Sequence, residues 1–471
     1  MAAAISLDRA GIGDFVLLEK ARDIGGTWRD NQYPGACCDV PSHLYSFSYA
    51  PNPGWTRRFS PAAEIHAYQR DLVHRFDLCD RIRGGFEAAQ ARWEDGGWTI
   101  VSSGGDRVRA RFLVSAIGAL HIPHKPDFEG LENFSGKVMH SAEWDPEYAV
   151  PDRNVVVVGS AASAVQIVPQ LAPTARRVTV MQRSANWFMP RKDRAISRFE
   201  CILFRKAPLV QRLYRWRQYL VNDFVFHANF RRRPSLRKGL VHWLVKRHLA
   251  RSVKDPELRK KLTPDYPVGC KRILLSDDFL PALQRENVEL LDDPIERFTE
   301  RELLTQSGRR IEADLVVLAT GFQTTKLFGD MEIHGPDGQR LSEAWANGIR
   351  AHRSVAVKGF PNFFMMYGPN SNLGHSSIIL MIEAQADYLA RLLGHARQAG
   401  ASVLEVRPEA EAAWNDYVQE GLAGTVWPGG CRSWYKDPGG RVFSLWPHTT
   451  SRFIREMRRA PPGEYRPFPP S

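Results

Sequence analysis

The sequence predicts an α/β fold assembled from two βαβ units, one incomplete and one complete, with a basic helical segment set into the second. Three observations carry that reading. Val155-Val156-Val157-Val158 is a buried-strand run that passes into Gly159-Ser160-Ala161-Ala-Ser163-Ala164, a helical stretch to Leu171 and a second strand ending at Met181. Phe15-Val16-Leu17-Leu18 is a short apolar run ending at Glu19, preceded by the helical residues 2–9 and a turn at Gly11 and Gly13. Residues 191–261 hold 21 Lys or Arg against five Asp or Glu, a net +16, so that the rest of a chain of formal charge +12 sums to −4.

The first unit is the second half of a βαβ. In the dinucleotide-binding version, a strand runs into G-x-G-x-x-G, a helix follows, and the next strand ends in an acid that bonds ribose hydroxyls. Glu19, followed by Lys20, supplies the acid, whereas the first strand and its glycine loop are not in the sequence. That strand lies at the centre of a doubly wound sheet, so its neighbours are expected to be left with unpaired N–H and C=O groups. The favoured explanation is a misplaced start codon or an artificially truncated sequence, over a natural short form. A natural short form should bind FAD poorly.

The second unit is complete. A helix N-terminus opening at Gly159 and Ser160 aims backbone N–H groups at a phosphate, although Ala161 adds a methyl where the backbone meets pyrophosphate. Its second strand runs into Gln182-Arg183-Ser184 instead of an acid, and an arginine there pairs with a 2′-phosphate. The first unit therefore reads as FAD-binding and the second as NADPH-binding. Two further strands, residues 112–114 and 314–318, end in turns at Gly118 and Gly321 and resemble the linker strands between the two domains of dinucleotide-binding flavoproteins.

Composition narrows the remaining classes. With 43% apolar and 25% charged residues over 471 positions, the chain is an ordinary globular one of two or three domains. Its six cysteines are scattered without a C-x-x-C spacing, which fits a reducing cytosol and indicates no metal site. The first residues lack the pattern of a signal peptide and no apolar run is long enough to cross a membrane, so a cytoplasmic location is expected. In the basic segment Leu209, Leu213, Trp216, Leu220 and Phe224 recur at helical spacing, as do Leu240, Trp243, Leu244 and Leu249. The default expectation is that these stripes dock on the FAD-binding domain; attraction to an anionic membrane comes second, and nucleic acid has no motif to support it.

Phe134-Ser-Gly136-Lys-Val-Met-His140-Ser-Ala-Glu-Trp144-Asp145 matches F-x-G-x-x-x-H-x-x-x-W-[PD] at every defined position, just ahead of the second unit. With that motif in that place, the chain resembles the type I Baeyer–Villiger monooxygenases of the flavin-containing monooxygenase superfamily. The resemblance runs from Ala2 to about Pro447. It implies a two-dinucleotide-binding-domain flavoprotein, a Rossmann-like FAD domain carrying an inserted NADPH domain. His140 is expected to position domains rather than to do chemistry.

Further segments carry the same resemblance. Gly25-Gly26-Thr27-Trp28, followed by Tyr33-Pro34-Gly35, Asp39 and Tyr45, is similar to the flavin-side segment, with Gly26, Thr27 and Trp28 near the cofactor and Tyr45 bordering its ring. Tyr266-Pro267-Val-Gly269-Cys270-Lys271-Arg272 is similar to the segment whose Lys contacts NADPH and whose Arg is catalytic. The implied reaction adds O2 to reduced flavin, and the resulting C4a-peroxide attacks a ketone or aldehyde carbonyl to give an ester or lactone. A permanently charged Arg272, oriented by Asp39, suits the negative charge of that attack. Gly368-Pro369-Asn370 resembles the returning FAD segment, and Ser433-Trp434-Tyr435 the segment that folds over the nicotinamide.

The expected organisation is an FAD domain over residues 1–146 and 321–471, an NADPH domain over 147–190 and 263–320, and the basic insert over 191–262. Expected partners are a small carbonyl substrate and O2, with no nucleic acid and with membrane contact open to the basic helices. The rival activities are N- or S-hydroxylation on the same fold, and a non-catalytic nucleotide-binding form.

Overall fold

The structure, a computed structural model, describes residues 1–429, 431, 433–459 and 462–467. Its central feature is a five-stranded parallel sheet in the order Val288–Leu291, Arg177–Met181, Asn154–Val158, Leu315–Leu318, Lys137–His140. The strands are nearly unbroken Val and Leu runs because both faces of the sheet are covered. The helix Ala162–Leu171 covers one face, burying Ala164, Val165, Ile167 and Val168. Phe134 and the antiparallel strands Ile295–Phe298, Glu302–Thr305 and Arg310–Glu312 cover the other. Lys137–His140 pairs residue by residue with Leu315–Leu318, so this sheet already begins ahead of position 147, where the sequence reading placed its domain.

The N-terminal unit is built differently. The helix Ala2–Arg9 buries Ala2, Ala4, Ile5 and Leu7 and packs on the long helix Ile378–Gln398. The expected strand over residues 15–18 shortens to Leu17–Leu18, parallel to Ile82–Arg83. Leu113–Ser115 pairs in parallel with Phe363–Met365. Among the described residues these two pairs remain separate sheets, and Leu17, Leu18, Leu113 and Val114 stay half-buried.

The basic segment forms the helices Arg198–Lys206, Pro208–Leu220, Leu236–Ser252 and Pro256–Lys261, with a π-helical turn at Val221–Phe226. Ser197 and Glu200 close a reciprocal cap on the first. The expected docking of the apolar stripe is not what the structure holds. Leu209, Leu213, Trp216 and Phe224 are exposed, whereas Gln211 and Gln218 of the same helix are buried. Gln211 Nε2 reaches His43 Nδ1 at 3.0 Å and the Asn52 carbonyl at 2.8 Å, so this helix is anchored through its polar side.

Two of the scattered cysteines are not free. Cys270 and Cys431, 161 residues apart, form a disulfide. The sequence reading expected no such pairing, and nothing in the local spacing of either residue signals it.

Candidate active site

Two clusters assemble from the residues singled out above. Each depends on side chains far apart in sequence. In the first, Arg272 donates from Nε to Asp39 Oδ2 at 2.7 Å and from Nη2 to Oδ1 at 2.8 Å, a fork on a carboxylate. Its remaining Nη1 points to the Leu373 carbonyl at 3.4 Å. The Asp39 charge holds the guanidinium even further above its ordinary pKa, against the opposing effect of burial. Tyr367 and Tyr435 lie within the field of this charge, and Tyr435, which also bonds to the Arg272 backbone, is pushed up to about 12 by burial.

Tyr367, which feels the Arg272 charge, also lines a small cavity with Ala119, Thr324, Pro369 and Trp434. Trp434 is partly exposed and packs on Tyr435 with ring centroids 4.7 Å apart. Its segment is tied to the Arg272 segment by the Cys270–Cys431 disulfide. Sequence reading passed over Tyr367 and Tyr435, although both sit inside segments it quoted, next to Gly368 and Trp434. Thr324 carries no local signal at all.

The flavin-side residues form a partial cradle. Glu19, at the end of the strand Leu17–Leu18, accepts from the Ala21 N–H at 3.0 Å and from Arg29 Nη1 at 3.2 Å. Gly26 has φ of 51° and open space where a Cβ would stand, and it precedes the short helix Thr27–Asp30. Trp28 Nε1 donates to the Tyr45 hydroxyl at 3.2 Å. A strand-end carboxylate and a glycine with open space beside it suit the ribose end of FAD.

Two residues of the same expected set are turned to other work. Lys20 is exposed and paired with Glu87 at 2.6 Å. Asn370 donates its side-chain amide to the carbonyls of Val442 and Leu445 at 3.2 and 3.0 Å, so it fastens a loop.

The second cluster stands at the end of the five-stranded sheet. Lys271 Nζ donates to Ser184 Oγ at 2.9 Å and sits 4.6 Å from the centre of the Tyr266 ring. Burial, followed by the neighbouring Arg183 charge, lowers the Lys271 pKa. Neither Lys271 nor Arg183 forms a salt bridge among the described residues, an arrangement that favours an incoming anion such as a 2′-phosphate. Gly159 opens the phosphate turn at φ of 120°, and a Cβ there would stand 2.4 Å from the Ala319 carbonyl. Ser160 is buried and held by Asn186 Nδ2, which donates to its carbonyl at 3.0 Å. Ala161 is exposed as the N-cap of the helix Ala162–Leu171, while Ala164 is fully buried and Ser163 half-buried.

A contact unseen in the sequence joins the two regions. Gln166, on that helix, accepts from the Tyr33 hydroxyl at 2.9 Å and donates to the Cys37 carbonyl at 3.0 Å. Gly35 must be a glycine here, since a Cβ would lie 2.7 Å from the Gln166 carbonyl.

The fingerprint residues make a set of close packing and hydrogen-bond contacts. Phe134 lies over Gly136, where a Cβ would meet its ring at 2.5 Å. His140 is buried; its Nδ1 accepts from the Ala142 N–H at 3.1 Å, and Nε2 contacts the Gly321 carbonyl at 3.0 Å. Burial lowers its pKa, which suits a neutral ring that accepts at one nitrogen and donates at the other. Trp144 packs on the sheet, and Asp145 pairs with Lys137 at 2.8 Å. Gly321 is the turn after the strand Leu315–Leu318, so His140 grips a crossing point between the two regions.

Comparison with known proteins agrees with this layout. Residues 1–198 match the family model described as pyridine nucleotide-disulphide oxidoreductase. The chain is 44% identical over its whole length to a Baeyer–Villiger monooxygenase of Streptomyces coelicolor, covering 91% of that protein. It is 40% identical over 96% of its length to a Baeyer–Villiger monooxygenase of Pseudomonas aeruginosa, covering 86% of it. A solved structure of oxidized steroid monooxygenase bound to NADP superimposes with a TM-score of 0.88 at 28% identity, covering 99% of this chain and 96% of that one.

Proposed function

This chain belongs to the Baeyer–Villiger monooxygenase family, and on that premise we propose that Arg272, oriented by Asp39, is the catalytic cation of its reaction. The fold is that of a flavoprotein with two dinucleotide-binding domains, and the enzyme is an FAD- and NADPH-dependent monooxygenase. It inserts one oxygen of O2 beside a carbonyl carbon to give an ester or lactone. Bound FAD, once reduced by NADPH, supplies the activation of O2.

The observation that carries the assignment is the two-point bond between Arg272 and Asp39, whose charge reaches the cavity residue Tyr367. Attack on a carbonyl places negative charge on oxygen. A fixed guanidinium that never deprotonates opposes that charge without having to reorganise. Asp39 locks the orientation of the fork and moderates its charge.

NADPH is held, in this reading, by Lys271, Arg183 and Ser184 at the 2′-phosphate and by the turn Gly159 to Ala164 at the pyrophosphate. Glu19, Gly26, Thr27, Trp28 and Tyr45 hold FAD, and Trp434 closes over the nicotinamide. His140 links the two domains. Lys20 and Asn370 are left with supporting roles by the partners described above. The substrate is a small carbonyl compound. A cytoplasmic location fits the requirement for NADPH, and no helix among the described residues is long and apolar enough to cross a membrane.

The test is to supply the protein with FAD, NADPH and a set of ketones under 18O2 and to identify the products by mass spectrometry. Esters or lactones carrying a single 18O are expected, and they should vanish in Arg272→Ala. Ester formation undiminished in that variant would overturn the role given to Arg272.

A further inference from the structure

The basic insert carries an apolar surface that is exposed among the described residues. The helix Pro208–Leu220 turns Gln211 and Gln218 inward and leaves Leu209, Leu213 and Trp216 exposed, the reverse of a helix docked by its apolar side. Further apolar side chains are exposed on the neighbouring helices, although these also bury Phe204 and Val241, Val245 and Leu249. Phe199 and Ile202 are exposed on the helix Arg198–Lys206, and Leu236, Leu240 and Trp243 on the helix Leu236–Ser252, with Leu236 95% exposed. The helices Arg198–Lys206 and Pro208–Leu220 pack on each other, and Arg237 Nη1 donates to the Phe224 carbonyl at 3.1 Å, bringing the third helix up to the same turn. An open groove runs past Pro234, Leu236, Leu240 and Trp243.

Cations frame these side chains. Arg198, Arg205, Lys206, Arg212, Arg217 and Arg247 are exposed, and none forms a salt bridge among the described residues. Arg247 lies 4.7 Å from the centre of the Trp243 ring, so a cation and an indole share one spot on the surface.

We propose that this insert is a peripheral membrane-binding surface that takes the headgroup layer of an anionic lipid bilayer. Exposed Leu, Phe and Trp side chains enter the boundary between headgroups and acyl chains, while flanking Arg and Lys pair with lipid phosphates. Two other occupants fit less well. A second copy docked through this face would oppose two segments of net +16. A nucleic acid would satisfy the cations but leave the apolar stripe in water. The inference stands on the exposed faces alone and does not depend on the reaction assigned above.

The experiment is sedimentation of the full-length chain with vesicles of phosphatidylcholine alone or with about one-third phosphatidylglycerol, at low and high salt. Binding to the anionic vesicles at least about tenfold tighter than to neutral ones, weakening as salt rises, is expected. The double substitution Trp216→Ser and Trp243→Ser should weaken anionic-vesicle binding about tenfold or more while leaving the thermal melt unchanged. Arg212→Gln with Arg217→Gln should reduce the salt dependence. Equal binding of wild type and the tryptophan variant, or no binding to anionic vesicles, would overturn the proposal. So would light scattering that shows a dimer converted to monomer by the tryptophan substitutions, which would assign the face to a second copy. Release from vesicles by duplex DNA, with DNA binding retained in the tryptophan variant, would assign it to nucleic acid.

Discussion

Arg272 meets Asp39 through two hydrogen bonds of 2.7 and 2.8 Å across 233 residues of sequence. Nε and Nη2 both engage the one carboxylate, so the guanidinium plane is held while Nη1 is directed to the Leu373 carbonyl.

From that geometry, Arg272→Ala should leave FAD reducible by NADPH while ester formation falls by about 10²–10³-fold, the usual cost of removing a fixed group that opposes oxyanion charge. Arg272→Lys should recover little, because an ammonium cannot make the paired fork. Stopped-flow reduction measured beside product yield separates the two steps.

Lys271 and Arg183 should decide between NADPH and NADH. Lys271→Ala or Arg183→Ala is expected to raise the KM for NADPH by roughly ten- to a hundredfold, the range of one charge-assisted hydrogen bond, with little change for NADH. Burial and Arg183 lower the Lys271 pKa, so the cation is lost at a lower pH than for a free lysine. The KM for NADPH should therefore climb earlier on the alkaline side in wild type than the ordinary lysine value implies, and this rise should be absent in Lys271→Ala.

Gly159→Ala places a methyl 2.4 Å from the Ala319 carbonyl at a φ of 120° that side chains disfavour. At least about 2 kcal/mol of destabilisation is expected, read as a lower melting temperature together with weaker NADPH binding.

Asp223 has no exposed surface and ties the insert to the C-terminal helix Thr450–Arg458. It accepts from the backbone N–H groups of Thr450 at 2.7 Å and Ser451 at 3.2 Å, and it contacts His375 Nε2 at 3.3 Å. Burial alone would raise its pKa, but His375 and the N–H donors outweigh burial and hold it below the ordinary carboxylate value. A carboxylate depressed in the folded state adds stability that is present above about pH 4 and is lost as pH falls toward its folded pKa. Asp223→Ala should cost about 3–5 kcal/mol in denaturant melts at neutral pH. Asp223→Asn should lose less at neutral pH and show a shallower loss of stability in acid than wild type.

Much of this protein is legible along the chain. The Val155 to Val158 run, the Gly159 turn and the Arg183 position encode a complete nucleotide-binding unit in about 30 consecutive residues, because strand, turn and helix are local features. The fingerprint from Phe134 to Asp145 is local in the same way. Glu19 reads correctly as a strand end, yet the strand before it shrinks to Leu17–Leu18, since a strand is stabilised by its neighbours rather than by its own residues. The pairing of the Lys20 side chain with Glu87 and of the Asn370 amide with the carbonyls of Val442 and Leu445 has no signal in the local sequence.

The sequence by itself determined most of the secondary elements, the nucleotide-binding turn at Gly159 and the residue types offered to each site, all of which follow from spacing and backbone preference within a few turns of chain. Tertiary structure alone decided that Asp39 meets Arg272, that Gln166 fastens Tyr33 and Cys37, and that Cys270 bonds to Cys431. It also decided which face of Pro208–Leu220 is buried. Helical periodicity marks an apolar stripe, but whether the stripe turns inward depends on the partner surface, and here that surface offers His43 and the Asn52 carbonyl, which bind Gln211.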